Sequence, residues 1–421
     1  MTSPAEPLGP SDRHSLESLK DVTRADVYKT GSLAGHLTRN AHGGVDFAYT
    51  PQWRQSAAPP IATTLPIAGE PVVTAAGAVP PFFAGLLPEG RRLGALVREV
   101  KTSTDDELSL LLAVGGDTIG DVQVVAEGAA PDGVGPDREP ARLRIPDLAS
   151  IRFAEVLAHL EVRSDRVGLP GVQDKVSAAM ISLPATAAGA QVILKLNPRE
   201  FKHLVENEHF FLGAAREAGI VAANAALVHD AVGEPGLAVT RFDRVTEGGA
   251  LVSLAVEDGC QALGLYPSSK YSATTEAVLS RLSSVCEAPV PAAAEFLAQA
   301  VFAYLAGNGD AHAKNFSVLQ DAAGRWQPAP AYDLPSSQPY GDTTMALTVD
   351  GKRDGNITRG RYLALAEHLG VRARAASVII DRVAGSADVW LDSLGTLPFD
   401  LGTLHKLERV IRHRQLLLRQ G

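Results

Sequence analysis

An aspartate and an asparagine five positions apart, Asp310 and Asn315, lie within residues 301–319, VFAYLAGNGDAHAKNFSVL. The apolar run ahead of them, with Phe302, Tyr304 and Leu305, reads as the end of a buried helix that Gly307 and Gly309 stop. Residues 316–319 behind them read as a short strand. A helix stop, a tight loop bearing a carboxylate and an amide, and then a strand are what a phosphoryl-transfer loop requires. In such a loop Asp310 accepts a hydroxyl proton and the Asn315 amide oxygen holds a metal ion. Eighteen positions beyond Asn315, Asp333 follows a short apolar stretch in Ala331-Tyr332-Asp333-Leu334 and would supply the metal's carboxylate. Taken alone, D-x-x-x-x-N is also an ordinary polar loop, so the surrounding elements have to carry the distinction.

Residues 191–196, QVILKL, read as a strand in which Lys195 shares a face with Ile193. An ammonium on that face is costly without a carboxylate or phosphate partner. Thirteen residues on, Glu208 lies on the inward stripe of a helix with Phe211 and Ala215. A strand lysine meeting an inward helix glutamate is the ion pair with which kinases place the α- and β-phosphates. Glu206 is the rival carboxylate, less well set on that stripe, and a lysine reaching water from an edge strand is the plain alternative. Residues 168–175, GLPGVQDK, form a Gly-containing turn leading into an apolar strand over 176–183. Glycine lets backbone N–H groups approach phosphate oxygens, although this turn matches neither the Walker pattern nor G-x-G-x-x-G and reads equally as a hairpin turn.

These groups need a scaffold. Residues 225–229 and 236–240 read as a strand pair across a Gly-Glu-Pro-Gly turn, after a helix that ends at Gly219. The crossover at Thr240, Arg241 and Phe242 is the candidate hinge for adenine, while Arg241, Asp243 and Arg244 read equally as a solvated charge cluster. Helical patterns then follow at 254–263, 274–286, 291–305, 361–369, 375–384 and 401–418. Arg409, Arg412, Arg414 and Arg419 give the last of these a basic face, read as solvated or set against the acidic remainder.

Toward the N-terminus, residues 1–23 read as a disordered leader. Short alternating runs at 27–28, 33–37 and 45–49 suggest a small β-rich module over 24–126, with helices at 93–100 and 105–114. Residues 127–148, rich in Pro, Gly and charge, read as a linker, followed by a short helix at 151–161. The expected architecture is α+β: the β-rich module, then a two-lobed protein-kinase-like domain. Its N-lobe-like part would span 149–255, and its mostly helical C-lobe-like part 256–421.

Composition sets the outer bounds. A chain of 421 residues with 45% hydrophobic and 21% charged residues builds roughly two or three cored domains. A net charge of −9 argues against a protein whose main task is gripping nucleic acid. Two cysteines, Cys260 and Cys286, make no disulfide framework and fit a reducing cytoplasm. The polar N-terminus lacks a signal-peptide core, and no uninterrupted apolar run approaches the ~18–20 residues that span a bilayer.

Six separated motifs in one order resemble the HipA family, serine/threonine-protein kinases that act as toxins of type II toxin–antitoxin modules. The first is Pro81-Phe82-Phe83 with Leu86-Leu87-Pro88-Glu89, and the second Gly171-Val172-Gln173-Asp174-Lys175. Next come Val239-Thr240-Arg241-Phe242-Asp243-Arg244 and Glu257-Asp258-Gly259-Cys260-Gln261. Gly309-Asp310-Ala311-His312-Ala313-Lys314-Asn315-Phe316-Ser317-Val318 and Tyr332-Asp333 complete the set, and the likeness spans about residues 25–420.

The resemblance implies ATP and Mg2+ as cofactors, with Asp310 as proton acceptor and Asn315 and Asp333 on the magnesium. It implies a phosphate loop of Pro170, Gly171, Val172, Gln173, Asp174 and Lys175, with Lys195, paired to Glu208, on the nucleotide phosphates. Thr240, Arg241 and Phe242 would form the adenine hinge, and His312, Lys314 and Tyr332 would line the nucleotide side. The implied partners are a small helix-turn-helix antitoxin like HipB, through which DNA is met only indirectly, and a translation-machinery protein such as an aminoacyl-tRNA synthetase as substrate. One position departs from the pattern: where the family commonly carries an autophosphorylated serine, this chain has Gly168, with Ser164 and Ser177 the nearest hydroxyls. The alternatives to a growth-arresting kinase are a catalytically silent corepressor and a metal-dependent hydrolase using Asp310, His312 and Asp333.

Overall fold

The computed structural model describes residues 16–131, 143–144, 151–161, 180–187 and 190–420. The expected phosphate loop at 170–175, Gly168, and most of the 127–148 linker lie outside them. The described residues divide between two units, one within 1–141 and 156–170, the other within 142–155 and 171–421.

The first unit is built on an antiparallel sheet in the order β3-β2-β1-β4, from β1 (Arg24–Lys29), β2 (Ser32–Arg39), β3 (Val45–Tyr49) and β4 (Val122–Ala126). Alternation puts Ala25, Val27 and Lys29 on one buried face of β1. Lys29 is tolerated there because its ammonium meets the buried Asp121 carboxylate at 2.9 Å. Helices α1 (Pro51–Gln55), α2 (Pro81–Ala84), α3 (Gly90–Val100) and α4 (Glu107–Val114) complete the unit. The Phe82-Phe83 motif is a core anchor, with the Phe83 ring 5.2 Å from that of Phe47. Part of the stretch read as leader is ordered: Ser18–Asp21 forms a 3-10 turn, and its Leu19 carbonyl accepts the Ser109 hydroxyl.

In the second unit a mixed sheet runs in the order β5-β6-β7-β9-β8: β5 (Leu143–Arg144), β6 (Ile181–Ala187), β7 (Ala190–Leu196), β8 (Ala225–His229) and β9 (Pro235–Thr240). A short helix, α5 (Phe153–Glu161), is cut by the division between the units at residues 155 and 156, and α6 (Leu204–Glu217) follows β7. Lys195 stands on β7 opposite Ser182 of β6 and Leu237 of β9, so it is central in the sheet and not on an edge. A hairpin of β10 (Arg244–Glu247) and β11 (Ala250–Ser253) leads to a three-stranded sheet, β12 (Val256–Asp258), β13 (Ser317–Gln320) and β14 (Trp326–Pro328).

The helical lobe contains α7 (Gly259–Leu263), α8 (Thr275–Val285), α9 (Pro289–Ala306), α10 (Arg359–His368), α11 (Ala373–Trp390) and α12 (Leu401–Arg419). Helix α9 is its axis and packs against α8, α10, α11 and α12. Among the described residues it is the one helix long and apolar enough to cross a membrane, and 72% of that window is buried inside the protein. It is therefore apolar all round because it is surrounded.

Three expectations are corrected. Residues 254–263 are not one helix: Val256–Asp258 pair with Ser317–Leu319 as a strand, and Asp258 then caps α7 in a capping box with Gln261. The Arg241–Asp243–Arg244 cluster is buried rather than solvated, with both guanidinium groups 2.7 Å from Asp243 Oδ2. Arg414 is not on a solvated face. It is 1% exposed and donates to the carbonyls of Tyr304 and Thr343, because the interior here holds chain carbonyls that need a donor.

Candidate active site

Lys195 is the hub of a buried polar chain. Its ammonium lies 2.7 and 2.8 Å from the two Glu208 oxygens and 3.1 Å from Asp333 Oδ1. The other Asp333 oxygen, Oδ2, accepts from the Asn315 amide at 2.7 Å. Residues 195, 208, 315 and 333, drawn from a strand, a helix, a loop and a second loop, thus meet in one place. The rival Glu206 is turned elsewhere, onto Asn197 and His203.

The loop that carries Asp310 is set by its glycines. Helix α9 ends at Gly307, whose φ of 76° is the left-handed cap that favours glycine. At Gly309 an added Cβ would lie 2.6 Å from both Ser337 Oγ and the Thr344 carbonyl oxygen, so only glycine fits this close approach. Asn308 spans the two loops: its amide donates to the Asp333 carbonyl while its oxygen accepts the Asp310 N–H. Asp310 itself accepts a hydrogen bond from the Tyr271 phenol at 2.8 Å.

Further along the loop, the Asn315 oxygen accepts the His312 N–H at 3.0 Å, and Lys314 pairs with Asp258 at 2.9 Å. The buried Tyr332 phenol donates to the Lys314 carbonyl and shares a 2.6 Å contact with Ser317. Asp333 adopts φ 56°, an uncommon backbone for a residue with a side chain, held by this surrounding set of bonds.

The charges explain how the groups are held. Burial pushes the Asp333 carboxyl up, but Lys195, His312 and Asn315 outweigh it and hold the group below the ordinary carboxylate range. Burial, reinforced by the Asp333 charge, pushes Glu208 up against the pull of Lys195. Burial would lower Lys195, yet Asp333 and Glu208 together raise it, so it stays an ammonium. One cation between two carboxylates leaves the cluster one negative charge in excess. Of the two carboxylates, the Asp333 side chain is 20% exposed and Glu208 1%, so Asp333 is the one within reach of a ligand.

At the expected hinge, the Thr240 and Arg241 N–H groups are used within the fold, on the carbonyls of Asn224 and Gln191. The Phe242 ring lies 5.7 Å from that of Tyr332, which joins the crossover to the Asp333 segment. Sequence reasoning missed Tyr271, Asn308 and the Asn207–Ser336 pair. Only Asn308 carried a signal, as a polar residue between the two loop glycines.

A metal would find one oxygen donor of the kind magnesium takes in Asp333, while Asn315 meets that carboxylate through its NH2 group and would offer an oxygen once its amide, now accepting the His312 N–H, is turned over. Among the described residues no three His, Cys, Asp or Glu side chains group as metal ligands.

Two family models match this chain. The HipA-like C-terminal domain covers residues 167–391 and the HipA N-terminal domain covers residues 25–125. The chain belongs to the HipA family. It is 33% identical to a putative kinase of Sinorhizobium fredii over 344 residues, 78% of this chain and 81% of that one. It is 29% identical to the serine/threonine-protein kinase toxin HipA of Shewanella oneidensis over 348 residues, 75% of this chain and 76% of the relative. The solved structure of the Shewanella oneidensis HipA, in complex with HipB and operator DNA, superposes with a TM-score of 0.74 at 25% identity. That match covers 94% of this chain and 96% of the other. The HipA fold is therefore the fold of this chain, a two-lobed kinase-like α+β architecture, and its relatives are named as kinases.

Proposed function

We propose that this HipA-family chain is a Mg-ATP-dependent serine/threonine protein kinase and the toxin of a toxin–antitoxin pair. The observation that carries the reading is the chain Glu208–Lys195–Asp333–Asn315, closed by Asn308 onto the loop of Asp310. These are the groups phosphoryl transfer needs, in one place.

Lys195, oriented by Glu208, takes the α- and β-phosphate oxygens of ATP. Asp333, with Asn315 beside it, would hold magnesium, which would supply positive charge to the phosphate oxygens. Asp310 takes the proton from an acceptor serine or threonine hydroxyl, and its backbone is fixed for this by Asn308 and by the close approach at Gly309. Water is kept from Lys195 and Glu208 by the sheet and helix that bury them, which strengthens their charge interactions. The acceptor is a translation-machinery protein, an aminoacyl-tRNA synthetase being the leading class, and its modification arrests growth. The partner is a small DNA-binding antitoxin, a reading supported by the HipB and operator DNA bound to the Shewanella oneidensis HipA.

Incubation with γ-labelled ATP and cell extract tests this. A labelled acceptor band should appear and should fall on the order of 10²–10⁴-fold in Asp310→Ala, the usual worth of a general base. Undiminished labelling in that variant would remove Asp310 as the proton acceptor, absence of any transfer would exclude the kinase reading, and antitoxin-dependent repression without transfer would identify a silent corepressor.

A further inference from the structure

The candidate base does not stand open. Asp310 is 2% exposed, and the group on its Oδ1 is the phenol of Tyr271, donating at 2.8 Å. A hydroxyl donating to this carboxylate at that distance is the contact an acceptor serine or threonine must make for its proton to be taken. The phenol therefore fills, chemically and geometrically, a place the acceptor needs.

We propose that Tyr271 is the gate of the acceptor site: its phenol occupies the hydrogen-bonding position on Asp310 that an acceptor hydroxyl takes, and it leaves when that hydroxyl arrives. This rests on the assignment of Asp310 as the proton acceptor. Tyr271 is built to move as a side chain. It lies outside any helix, between the 3-10 turn Pro267–Ser269 and the start of α8 at Thr275. Its backbone is tied down nearby, where the Lys270 carbonyl accepts the Ala313 N–H and Ser269 accepts the Ser272 N–H. The ring is half-buried, edge-on to His312 at 5.2 Å, with the Lys270 ammonium 5.3 Å from its centroid.

Rotation about the side-chain bonds moves the hydroxyl without breaking any of those backbone bonds. A protein hydroxyl exchanges for the phenol bond for bond, so docking of a true acceptor opens the gate at little cost. Until then the phenol keeps water from the base, which suppresses wasteful ATP hydrolysis.

The test is Tyr271→Phe, which keeps the ring and removes only the hydroxyl. Phosphate release from Mg-ATP with water as the sole acceptor should rise roughly 3–10-fold, the worth of one net hydrogen bond. With myelin basic protein as probe acceptor, KM for the protein should fall by a similar factor, while KM for ATP and kcat stay within about twofold. Both gains should vanish in Tyr271→Phe/Asp310→Ala. Unchanged or slower phosphate release in Tyr271→Phe, with a melting temperature like the wild type's, overturns the gate. Slower kcat at unchanged KM also overturns it and makes Tyr271 a support for Asp310. If Asp310→Ala alone leaves phosphate release untouched, the assignment of Asp310 fails and the gate built on it falls with it, an outcome distinct from a silent Tyr271→Phe in a protein whose Asp310→Ala is impaired.

Discussion

Asn207 and Ser336 hold each other by two reciprocal hydrogen bonds: the Asn207 amide donates to the Ser336 carbonyl at 2.8 Å, and the Ser336 N–H returns to Asn207 Oδ1 at 2.9 Å. Asn207 is next to Glu208 on α6, and Ser336 is three residues past Asp333. The pair therefore fixes the register between the two carboxylates that share Lys195. Both residues are wholly buried.

Replacing Asn207 by Ala strands a buried N–H and a buried carbonyl, each worth about 1–3 kcal/mol. We expect Asn207→Ala to lose roughly 2–4 kcal/mol in urea unfolding. It should also weaken Mg-ADP binding measured by calorimetry, because Glu208 and Asp333 are no longer held in step. Asn207→Asp keeps the acceptor but loses the donor and buries a charge against the Ser336 carbonyl, so it should lose at least as much as Asn207→Ala. Equal nucleotide affinity in all three proteins would show that the pair stabilises the fold without positioning the site.

Lys195→Met leaves Glu208 buried with no cation and should cost about 3–5 kcal/mol. The pH dependence has a definite sign. Glu208 already sits above the ordinary carboxylate range in the folded protein, and losing the ammonium raises it further. A folded-state carboxyl raised above its unfolded value penalises folding at high pH, and the penalty shrinks as pH falls below the folded value, vanishing below the unfolded one. The deficit of Lys195→Met relative to wild type should therefore shrink between pH 8 and pH 5. Adding Glu208→Gln should restore most of the loss and abolish that pH dependence. A deficit that grows on acidification would contradict the charge assignment.

Where spacing along the chain carries the information, the sequence was readable. Asp310 and Asn315 are five apart, Lys195 keeps strand period, and Glu208 keeps helix period with Phe211, so local rules reach them. Contacts made between distant elements leave no such trace. Tyr271 and Asp310 are 39 residues apart, and Asn207 and Ser336 are 129 apart. The segment 254–263 read as helix because Val256–Asp258 is a strand only by virtue of its partner at Ser317–Leu319. Arginines on the last helix default to solvent in any pattern-based reading, and nothing near Arg414 in sequence shows that Tyr304 and Thr343 need its guanidinium.

Arg414 makes that difference measurable. Beyond its two carbonyl acceptors it stacks over the Tyr304 ring, 4.7 Å from the centroid. Arg414→Ala opens a cavity and takes the guanidinium from the Thr343 carbonyl and from the Tyr304 carbonyl, which keeps only the Gly307 N–H, so it should lose roughly 3–5 kcal/mol in denaturant unfolding. Arg409, exposed on the same helix, should change stability by no more than about 0.5 kcal/mol when replaced by Ala. Similar losses at both positions would mean that helix propensity, not the buried guanidinium, sets the effect.

Asp333→Asn tests the assignment of this carboxylate to the metal. Asparagine tolerates the left-handed backbone at this position, so φ 56° is kept. The substitution removes the excess negative charge around Lys195, leaving the ammonium paired with Glu208 alone. Because the carboxyl is held below its ordinary range and both its oxygens accept from donors, stability without nucleotide should nevertheless fall by about 1–3 kcal/mol. Magnesium-dependent ATP affinity should fall at least tenfold, because the exposed carboxylate oxygen is the donor a hard cation takes. Asn315→Ala should weaken the same affinity about 10–100-fold while losing its bond to Asp333, the usual cost of removing a group that orients a metal ligand. Calorimetric titration of ATP with and without magnesium reads both effects. A loss of ATP affinity of the same size when magnesium is omitted would assign Asp333 to the phosphates through Lys195 rather than to the metal.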